Sequence, residues 1–223
     1  MIVNTPNPSR WEDLFRTACE IIDCAGGDDL IASWSFGGGT ALMLQIGHRE
    51  SHDIDIFLDD PQVLPLLNPE VQGFRLKLLP SSYDSDGARS LKLSFSGIGE
   101  IDFICCSHLT SQPVSFENIS GRRVMLEVPA EIISKKIYYR CGMLQPRDMF
   151  DIAAVLHCCG GEILKAALAP IAGRCAIALE AASRMNPQFA QAGMSALQNI
   201  RPQYKHLPMI AQHQVIAFLS EIG

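Results

Sequence analysis

The chain has 223 residues, 48% of them hydrophobic, and a formal net charge of −6 at neutral pH. This length and hydrophobic content suffice for a sizeable core in one domain or a compact pair of domains, which excludes a disordered chain. The acidic balance argues against a nonspecific nucleic-acid binder, because such a protein carries a basic surface. The lack of a signal peptide and of a long apolar run predicts a cytoplasmic protein without a membrane segment.

The cysteine pattern predicts thiols rather than crosslinks. Eight cysteines are present, but neither C-x-x-C nor zinc-finger spacing occurs among them, and the chain shows no secretory context. Most lie in apolar stretches, where reduced cysteine packs as a small hydrophobe. We therefore expect buried, reduced side chains; the alternative, a zinc site assembled from cysteines and histidines, has no support from their spacing.

The N-terminal part is predicted to alternate helices and strands. Residues 9–32 have helical spacing, with Ser9 as the N-cap and a glycine pair at 26 and 27 as the end of the helix. Residues 33–36 are expected to form a strand, and residues 40–46 a short helix.

A glycine turn and an Asp-x-Asp strand carry the clearest chemical signal. Gly38 and Gly39 allow close approach of a phosphate to the backbone, and a helix that begins near Thr40 directs unpaired N–H groups toward it. The strand period places Asp53 and Asp55 on one face, about 7 Å apart. Two such carboxylates can share Mg²⁺, which supports displacement at the phosphorus of a nucleotide.

The middle of the chain predicts further strands. After a short helix at 62–68, strands are expected near 74–79 and 91–96, separated by a polar loop at 83–88. The turn at 96–99 leads into a second hairpin strand that carries Asp102. We expect Asp102 to project from the same face as the Asp-x-Asp pair, with Glu100 as the alternative.

The remaining chain is predicted to be mostly helical. A short strand at 123–128 precedes a helix that starts at Pro129 and contains Glu131, and a second helix follows at 147–156. In that second helix, Asp148 and Asp151 share one face. Residues 160–223 are alanine-rich, contain several prolines and carry no recognisable motif.

Basic residues are concentrated in one stretch of the sequence and could contact a triphosphate or an RNA end. An alternative reading of each member is a solvated helix face. The members are Arg122, Arg123, Lys135, Lys136, Arg140 and Arg147.

The first block of motifs resembles the AbiEii/AbiGii toxin branch of the polymerase β-like nucleotidyltransferases. It runs Gly38-Gly39-Thr40-Ala41-Leu42, Gly47-His48-Arg49, Ser51 and then Asp53-Ile54-Asp55-Ile56-Phe57. This ordered set is far more specific than Asp-x-Asp alone, and no Gly-Lys-Ser/Thr follows the glycines as it would in a P-loop. The alternative is a helix-turn-strand unit with two exposed aspartates.

A second block resembles the same family. It comprises Glu131-Ile132-Ile133-Ser134-Lys135-Lys136-Ile137 and Arg147-Asp148-Met149-Phe150-Asp151. The resemblance implies that Lys136, or the adjacent Lys135, binds the triphosphate, and that Asp148 or Asp151 orients that lysine, contacts the nucleotide or acts as a base. The alternative is a helix start that Asp148 caps while pairing with Arg147.

Smaller signals surround the first block. Arg49 could reach a phosphate or lie on the surface, and Ser51 could contact the nucleotide or accept an inhibitory modification. His48 and His52 are interpreted as loop histidines.

These observations predict an α+β protein with a nucleotidyltransferase-like mixed sheet flanked by helices and a mostly helical C-terminal region. Residues 1–128 are expected to form the core domain, and residues 129–223 to complete the active site and cleft. The resemblance implies a Mg²⁺-dependent (or Mn²⁺-dependent) enzyme that moves an NMP from an NTP to an acceptor hydroxyl, with RNA such as tRNA as the expected acceptor. It also implies a toxin with a partner antitoxin, or a phage-defence protein.

The expected site has three overlapping sets of residues. The metal ligands are Asp53, Asp55 and Asp102, the catalytic set adds Lys136 and Asp151, and the nucleotide contacts are Gly38, Gly39, Thr40, Arg49, Ser51, Lys136 and Asp148. Alternatives are a nucleotide-binding module without turnover and an enzyme that modifies a small molecule.

Overall fold

A computed structural model describes residues 9–31 and 33–222 of the chain. Within these residues all strands lie before residue 128, the first two among helices and the last five in succession, and from Pro129 onward every element is helical. The strands are β1 (Trp34–Gly37), β2 (Ile54–Leu58), β3 (Ser82–Ser85), β4 (Ser90–Phe95), β5 (Gly99–Cys105), β6 (Val114–Ile119) and β7 (Arg122–Glu127). The first helices are α1 (Trp11–Cys24), α2 (Gly38–Ile46) and α3 (Pro69–Gln72).

The remaining helices complete the α+β architecture that the sequence predicts. They are α4 (Pro129–Arg140), α5 (Pro146–Cys159), α6 (Gly161–Leu168), α7 (Ala172–Arg184), α8 (Pro187–Ser195) and α9 (Leu207–Ser220), with short 3₁₀ turns between some of them. None of the helices in the described part of the chain combines the length and apolar content that a membrane span requires.

The described strands form one mixed sheet in the order β3-β4-β5-β2-β1-β7-β6. β2 runs parallel to β5 and antiparallel to β1, while β4 and β5 form an antiparallel hairpin. Successive side chains of a strand point to opposite faces of the sheet, so every second residue of β2 and β5 faces the core. Ile54 and Ile56 of β2 and Ile101 and Phe103 of β5 are accordingly fully buried. α1 packs against β2 and β5.

The chain divides into two compact units that interleave in sequence. The first unit contains the described residues through Thr40 together with Ser51–Ser107 and Glu117–Val124, and the second contains Ala41–Glu50, His108–Phe116 and the chain from Met125 onward. The predicted domain boundary after residue 128 stays a prediction.

Several local predictions are confirmed. The hairpin of β4 and β5, the strand after Asp53, the short helix near residue 40 and the helix that begins at Pro129 all form. Pro129 and Pro146 each occupy the first turn of a helix, where the missing N–H costs nothing.

Other local predictions are wrong. Residues 74–79 form no strand, whereas Ser82–Ser85, interpreted as part of a polar loop, pair with β4 as the edge of the sheet. An edge strand exposes its side chains, so the alternation of apolar residues that reveals a strand is missing there. Ser9 does not cap α1, because Arg10 holds that position and the Ser9 hydroxyl donates to the Ser51 carbonyl over 2.8 Å.

The cysteines are free, as predicted, but only partly buried. Cys19, Cys141 and Cys175 lie in the core, while Cys24, Cys158 and Cys159 are exposed. Burial raises the pKa of the Cys19 and Cys175 thiols to about 11, so these two remain protonated at neutral pH. Cys158 and Cys159 lie in the last turn of α5, after its last buried residue, Val155. The apolar residues that precede them in the sequence therefore give a wrong prediction of burial for this pair.

Candidate active site

Charged side chains of the first unit lie next to each other across three strands. The parallel register places Asp55 of β2 directly opposite Asp102 of β5, and the hairpin register places Lys92 of β4 opposite Asp102. Residues opposite each other in register share one face of a sheet. The face is therefore the one predicted, opposite to the buried isoleucines.

Asp102 lies in an environment that opposes its ionisation. Burial, followed by the charge of Asp55, raises the pKa of Asp102 from its usual 3.8 to about 6, although Lys92 acts in the other direction. The Lys92 ammonium is 3.3 Å from an Asp102 carboxylate oxygen and 2.6 Å from one of Glu100. One ammonium group thus neutralises two carboxylates only in part. An added cation would stabilise this cluster, because it would reduce the repulsion between the carboxylates.

Asp53 precedes β2 and is held by the neighbouring strand. One oxygen of its carboxylate accepts a hydrogen bond from the Glu100 backbone N–H over 3.0 Å, and the Thr40 hydroxyl donates to the Asp53 carbonyl over 2.5 Å. Thr40 is fully buried. The Thr40 hydroxyl therefore fixes the start of the Asp-x-Asp strand, a use that its place in the glycine turn does not suggest.

Gly38 is required by its contact with Asp55. Its φ is +70°, a conformation that side chains disfavour, and a Cβ atom at this position would lie 1.8 Å from Asp55 Oδ2. From the sequence, the glycine pair is predicted to let a phosphate come close to the backbone. The structure adds that Gly38 makes room for the carboxylate itself, while Gly39 follows it in the first turn of α2.

The carboxylates of the first unit provide suitable donors for a hard divalent cation. Asp55 and Asp102 supply adjacent carboxylate oxygens, which Mg²⁺ and Mn²⁺ prefer, and their mutual repulsion would be relieved by a bound cation. Among residues 9–31 and 33–222, no group of three or more His, Cys, Asp and Glu side chains is arranged to hold a metal ion. The roles of Asp53, Asp55 and Asp102 as metal ligands stay predictions.

Asp151 is the centre of a second, oppositely charged cluster, which belongs to the second unit. Arg49 donates to both of its oxygens, from Nε over 2.8 Å and from Nη2 over 3.0 Å. His48 Nε2 lies 2.9 Å from Oδ1, and Lys136 Nζ lies 3.2 Å from Oδ2. Although burial opposes ionisation, the Arg49 and Lys136 charges hold the pKa of Asp151 well below its usual range.

This cluster refines one interpretation of the sequence and decides between the alternatives of another. His48 lies in a loop, as predicted, but its ring is fully buried, and Arg49 is nearly buried, which contradicts the surface alternative. Both lie in an irregular segment whose polar composition indicates exposure, so the sequence alone does not reveal their partner on α5.

Asp148 joins the same cluster at the start of α5. Its Oδ2 accepts from the Gln145 backbone N–H over 3.1 Å, which completes a capping box, while Lys136 and Arg140 lie 2.9 and 3.2 Å from Oδ1. Asp148 thus caps the start of α5, as the alternative predicts, and also contacts Lys136, as the family resemblance implies. The predicted ion pair of Asp148 is made with these two residues and not with Arg147.

The two adjacent lysines of α4 have different partners. Lys135 is buried, with its ammonium 2.5 Å from Glu127 and 3.7 Å from Glu131. Glu131 in turn accepts hydrogen bonds from the Leu109 and Thr110 backbone. Lys136, in contrast, contacts the two aspartates of the second motif block.

Two contributors to these clusters were missed in the sequence. Lys92 could have been found by counting back from the turn at 96–99, because hairpin register places it opposite Asp102. The loop before α9 gives no such signal. Its Gln198 carbonyl accepts from Glu50 N–H and its Arg201 N–H donates to the His48 carbonyl, which fixes the segment that carries Arg49.

Comparisons with known proteins agree with this fold. The chain is similar to MenT4, a nucleotidyltransferase toxin from Mycobacterium tuberculosis, with 15% identity over 96% of this chain and 84% of that chain and a TM-score of 0.55. It is also similar to the antibiotic-resistance factor ANT(2'')-Ia, with 18% identity over 76% of this chain and 96% of that chain and a TM-score of 0.50. No curated protein matches the chain.

A family model described as nucleotidyl transferase AbiEii toxin, type IV TA system, matches residues 27–208. This range contains both motif blocks, so the resemblance inferred from them is confirmed. The chain therefore belongs to the AbiEii family of nucleotidyltransferase toxins of type IV toxin–antitoxin systems.

Proposed function

We propose that the enzyme transfers an NMP from an NTP to a hydroxyl group of RNA in a Mg²⁺-dependent or Mn²⁺-dependent reaction. The observation that carries this proposal is the Asp55 and Asp102 pair, aligned on parallel strands with Gly38 against Asp55. Asp53, Asp55 and Asp102 would hold the metal. A bound divalent cation would neutralise charge on the phosphates and polarise the phosphorus.

Asp102 is our candidate for proton acceptance. In the reaction, the acceptor oxygen forms a bond to the α-phosphorus, the bond to the β-phosphate oxygen breaks, pyrophosphate leaves, and the hydroxyl proton passes to a base. In the metal-free site burial and Asp55 raise the pKa of Asp102 to about 6, which makes it the more basic of the two candidate carboxylates, and a bound cation would lower this value. Asp151 is fully buried and its pKa is lowered, which supports a positioning role for it rather than proton transfer.

The nucleotide contacts follow the family resemblance. They are Gly38, Gly39, Thr40, Arg49, Ser51, Lys136 and Asp148. Lys136 is supported as the functional lysine because it contacts Asp148 and Asp151, whereas Lys135 is buried against Glu127. Arg49 is supported in a positioning role by its two hydrogen bonds to Asp151.

RNA as the acceptor, an antitoxin as the functional partner and action in the cytoplasm complete the proposal. They are supported by membership of a toxin family of type IV toxin–antitoxin systems. An enzyme that modifies a small molecule is the alternative that the same site chemistry would serve.

One assay tests this proposal. The protein is incubated with each α-labelled NTP, Mg²⁺ and total RNA, beside Asp55→Asn and the control Asp84→Asn, which alters an exposed aspartate on the edge strand. We expect labelled RNA with the unaltered protein and the control, and a loss of at least about 100-fold with Asp55→Asn. Equal labelling by all three proteins would overturn the proposal, and label on a small molecule or a protein would replace RNA as the acceptor.

A further inference from the structure

The cluster around Asp151 contains more positive than negative charge. Arg49, Lys136 and Arg140 contribute three cationic groups to two carboxylates, those of Asp148 and Asp151. Both aspartate side chains are completely buried. Of the three cations, Arg140 is the most exposed, so it is the one that solvent or an anionic ligand can reach most easily.

The three cations differ in what they can still bind. Arg49 uses Nε and Nη2 on Asp151, and Lys136 is 12% exposed and lies against both aspartates. Arg140 is 42% exposed and meets Asp148 through Nη1 alone. Within residues 9–31 and 33–222, its other guanidinium nitrogens make no hydrogen bond or ion pair.

We infer that Arg140 joins Lys136 as a direct contact of the nucleotide phosphates, while Arg49 chiefly holds Asp151 in place. This inference rests on the proposed function and adds a residue to it. A guanidinium group presents its donors in a planar fork that matches two phosphate oxygens, and Arg140 keeps most of that fork accessible.

The position of Arg140 on α4 supports a triphosphate rather than an RNA backbone as the ligand. Arg140 lies one helical turn after Lys136, and both side chains meet the same Oδ1 atom of Asp148. A polyphosphate that reaches Lys136 therefore lies beside Arg140. Asp148 is fixed by its hydrogen bond with Gln145 N–H, so it can keep the Arg140 side chain in position without engaging the whole guanidinium group.

The inference is tested by the binding of inorganic tripolyphosphate, measured by calorimetry on the full chain. We expect Arg140→Ala to weaken the affinity about 10-fold or more, since hydrogen bonds between charged partners are among the strongest in proteins. Arg140→Lys should be intermediate, because it keeps the charge but loses the fork. The control is Arg184→Ala, which alters an exposed arginine of the same unit that pairs with Glu180 and should bind as the unaltered protein does.

Thermal unfolding of the same variants separates binding from folding. Arg140→Lys should unfold within about 2 °C of the unaltered protein, since it keeps a positive charge at this position and Lys136 remains beside Asp148. Undiminished tripolyphosphate affinity in Arg140→Ala would overturn the inference, as would an equal loss in Arg184→Ala. A loss confined to binding of an RNA oligonucleotide without a triphosphate would also overturn it, by making Arg140 an acceptor contact.

These outcomes differ from a failure of the proposed function. Tripolyphosphate binding requires no transfer, so Arg140-dependent affinity would stand even if Asp55→Asn labelled RNA normally. Conversely, Asp55-dependent transfer with Arg140-independent binding would retain the function and remove Arg140 from it.

Discussion

Asp102 is largely buried and Asp151 is fully buried, but the surroundings of these two carboxylates have opposite charge. Asp102 lies beside Asp55 and Glu100 with Lys92 as its cationic neighbour, and its pKa is raised to about 6. Asp151 lies between Arg49 and Lys136, with His48 as a further partner, and its pKa is lowered. The first environment favours an added cation or proton, whereas the second already contains the charges that stabilise it.

This difference distinguishes a carboxylate that takes part in the reaction from one that holds the structure in place. Catalytic sites often contain a carboxylate whose ionised form destabilises the folded protein. Binding of a metal ion or a proton then removes this destabilisation. A carboxylate with full hydrogen bonding and two cations fixes the segments that carry its partners. We therefore assign reaction chemistry to the Asp55 and Asp102 pair and positioning to Asp151.

The largest expected effect is the loss of the Asp151 cluster. Asp151→Ala leaves Arg49 and Lys136 buried without this partner, so we expect the free energy of unfolding to fall by about 3–5 kcal/mol. Urea unfolding at pH 7.5 measures the change, with Asp84→Ala as the exposed control. A loss below about 1 kcal/mol would remove Asp151 from its positioning role.

The sign of the pH dependence follows from the lowered pKa of Asp151. Its contribution to stability is present above the pKa of the unfolded chain and is lost as pH falls toward the folded value. The deficit of Asp151→Ala should accordingly shrink below about pH 4, where the unfolded carboxyl takes up its proton. A deficit that grows in acid would contradict this assignment.

The next effect tests the contact that shapes the Asp55 side. Gly38→Ala should lose about 1–2 kcal/mol from its left-handed backbone, plus the cost of displacing Asp55. Gly73→Ala is a matched control, because its φ of +71° is nearly the same while a Cβ there meets nothing within 4 Å. Only Gly38→Ala should also lose NMP transfer. Equal effects of the two substitutions on stability and transfer would show that the contact with Asp55 is unimportant.

A smaller effect, of opposite sign, is expected at Asp102. Since its folded pKa lies above the unfolded value, ionised Asp102 opposes folding above about pH 6, and the cost disappears below about pH 4 where both states are protonated. Asp102→Asn should therefore stabilise the metal-free protein at pH 7.5 by about 1–2 kcal/mol, after allowance for Lys92 and solvent. Urea unfolding in EDTA at pH 4 and at pH 7.5 measures this change in the free energy of unfolding. A less stable Asp102→Asn protein at pH 7.5 would contradict the conclusion that ionised Asp102 opposes folding.

The smallest effect is expected at Asp84, which lies opposite Lys92 in the same row of the sheet but is exposed. Asp84→Asn should change the unfolding free energy by less than about 0.5 kcal/mol and leave transfer unaltered. A marked loss of transfer would extend the carboxylate site to the sheet edge.

The sequence predicts the local parts of both regions. Alternation in residues 91–95 and the turn after it predict the hairpin that carries Asp102, and the Pro129 helix start predicts the element that carries Lys136. Both features depend on residues near one another in the chain, where periodicity and proline geometry are informative.

What the sequence cannot predict are the long-range contacts and burial. The burial of His48 and Arg49 is not evident from the sequence because their partner Asp151 is about 100 residues away, and the polar edge strand β3 resembles a loop because its pairing with β4 is not visible in its own pattern. The opposite surroundings of Asp102 and Asp151 depend on such contacts, so sequence alone ranks both aspartates as equal candidates for the base.

Binding of Mn²⁺, followed by the loss of the free-ion electron paramagnetic resonance signal, tests whether Asp55 and Asp102 hold the metal. We expect the unaltered protein and Asp84→Asn to bind Mn²⁺ with equal affinity and Asp55→Asn to bind at least about 10-fold more weakly, since it removes a charged oxygen ligand. Equal Mn²⁺ affinity in all three proteins would contradict the assignment of the metal to the Asp55 and Asp102 pair.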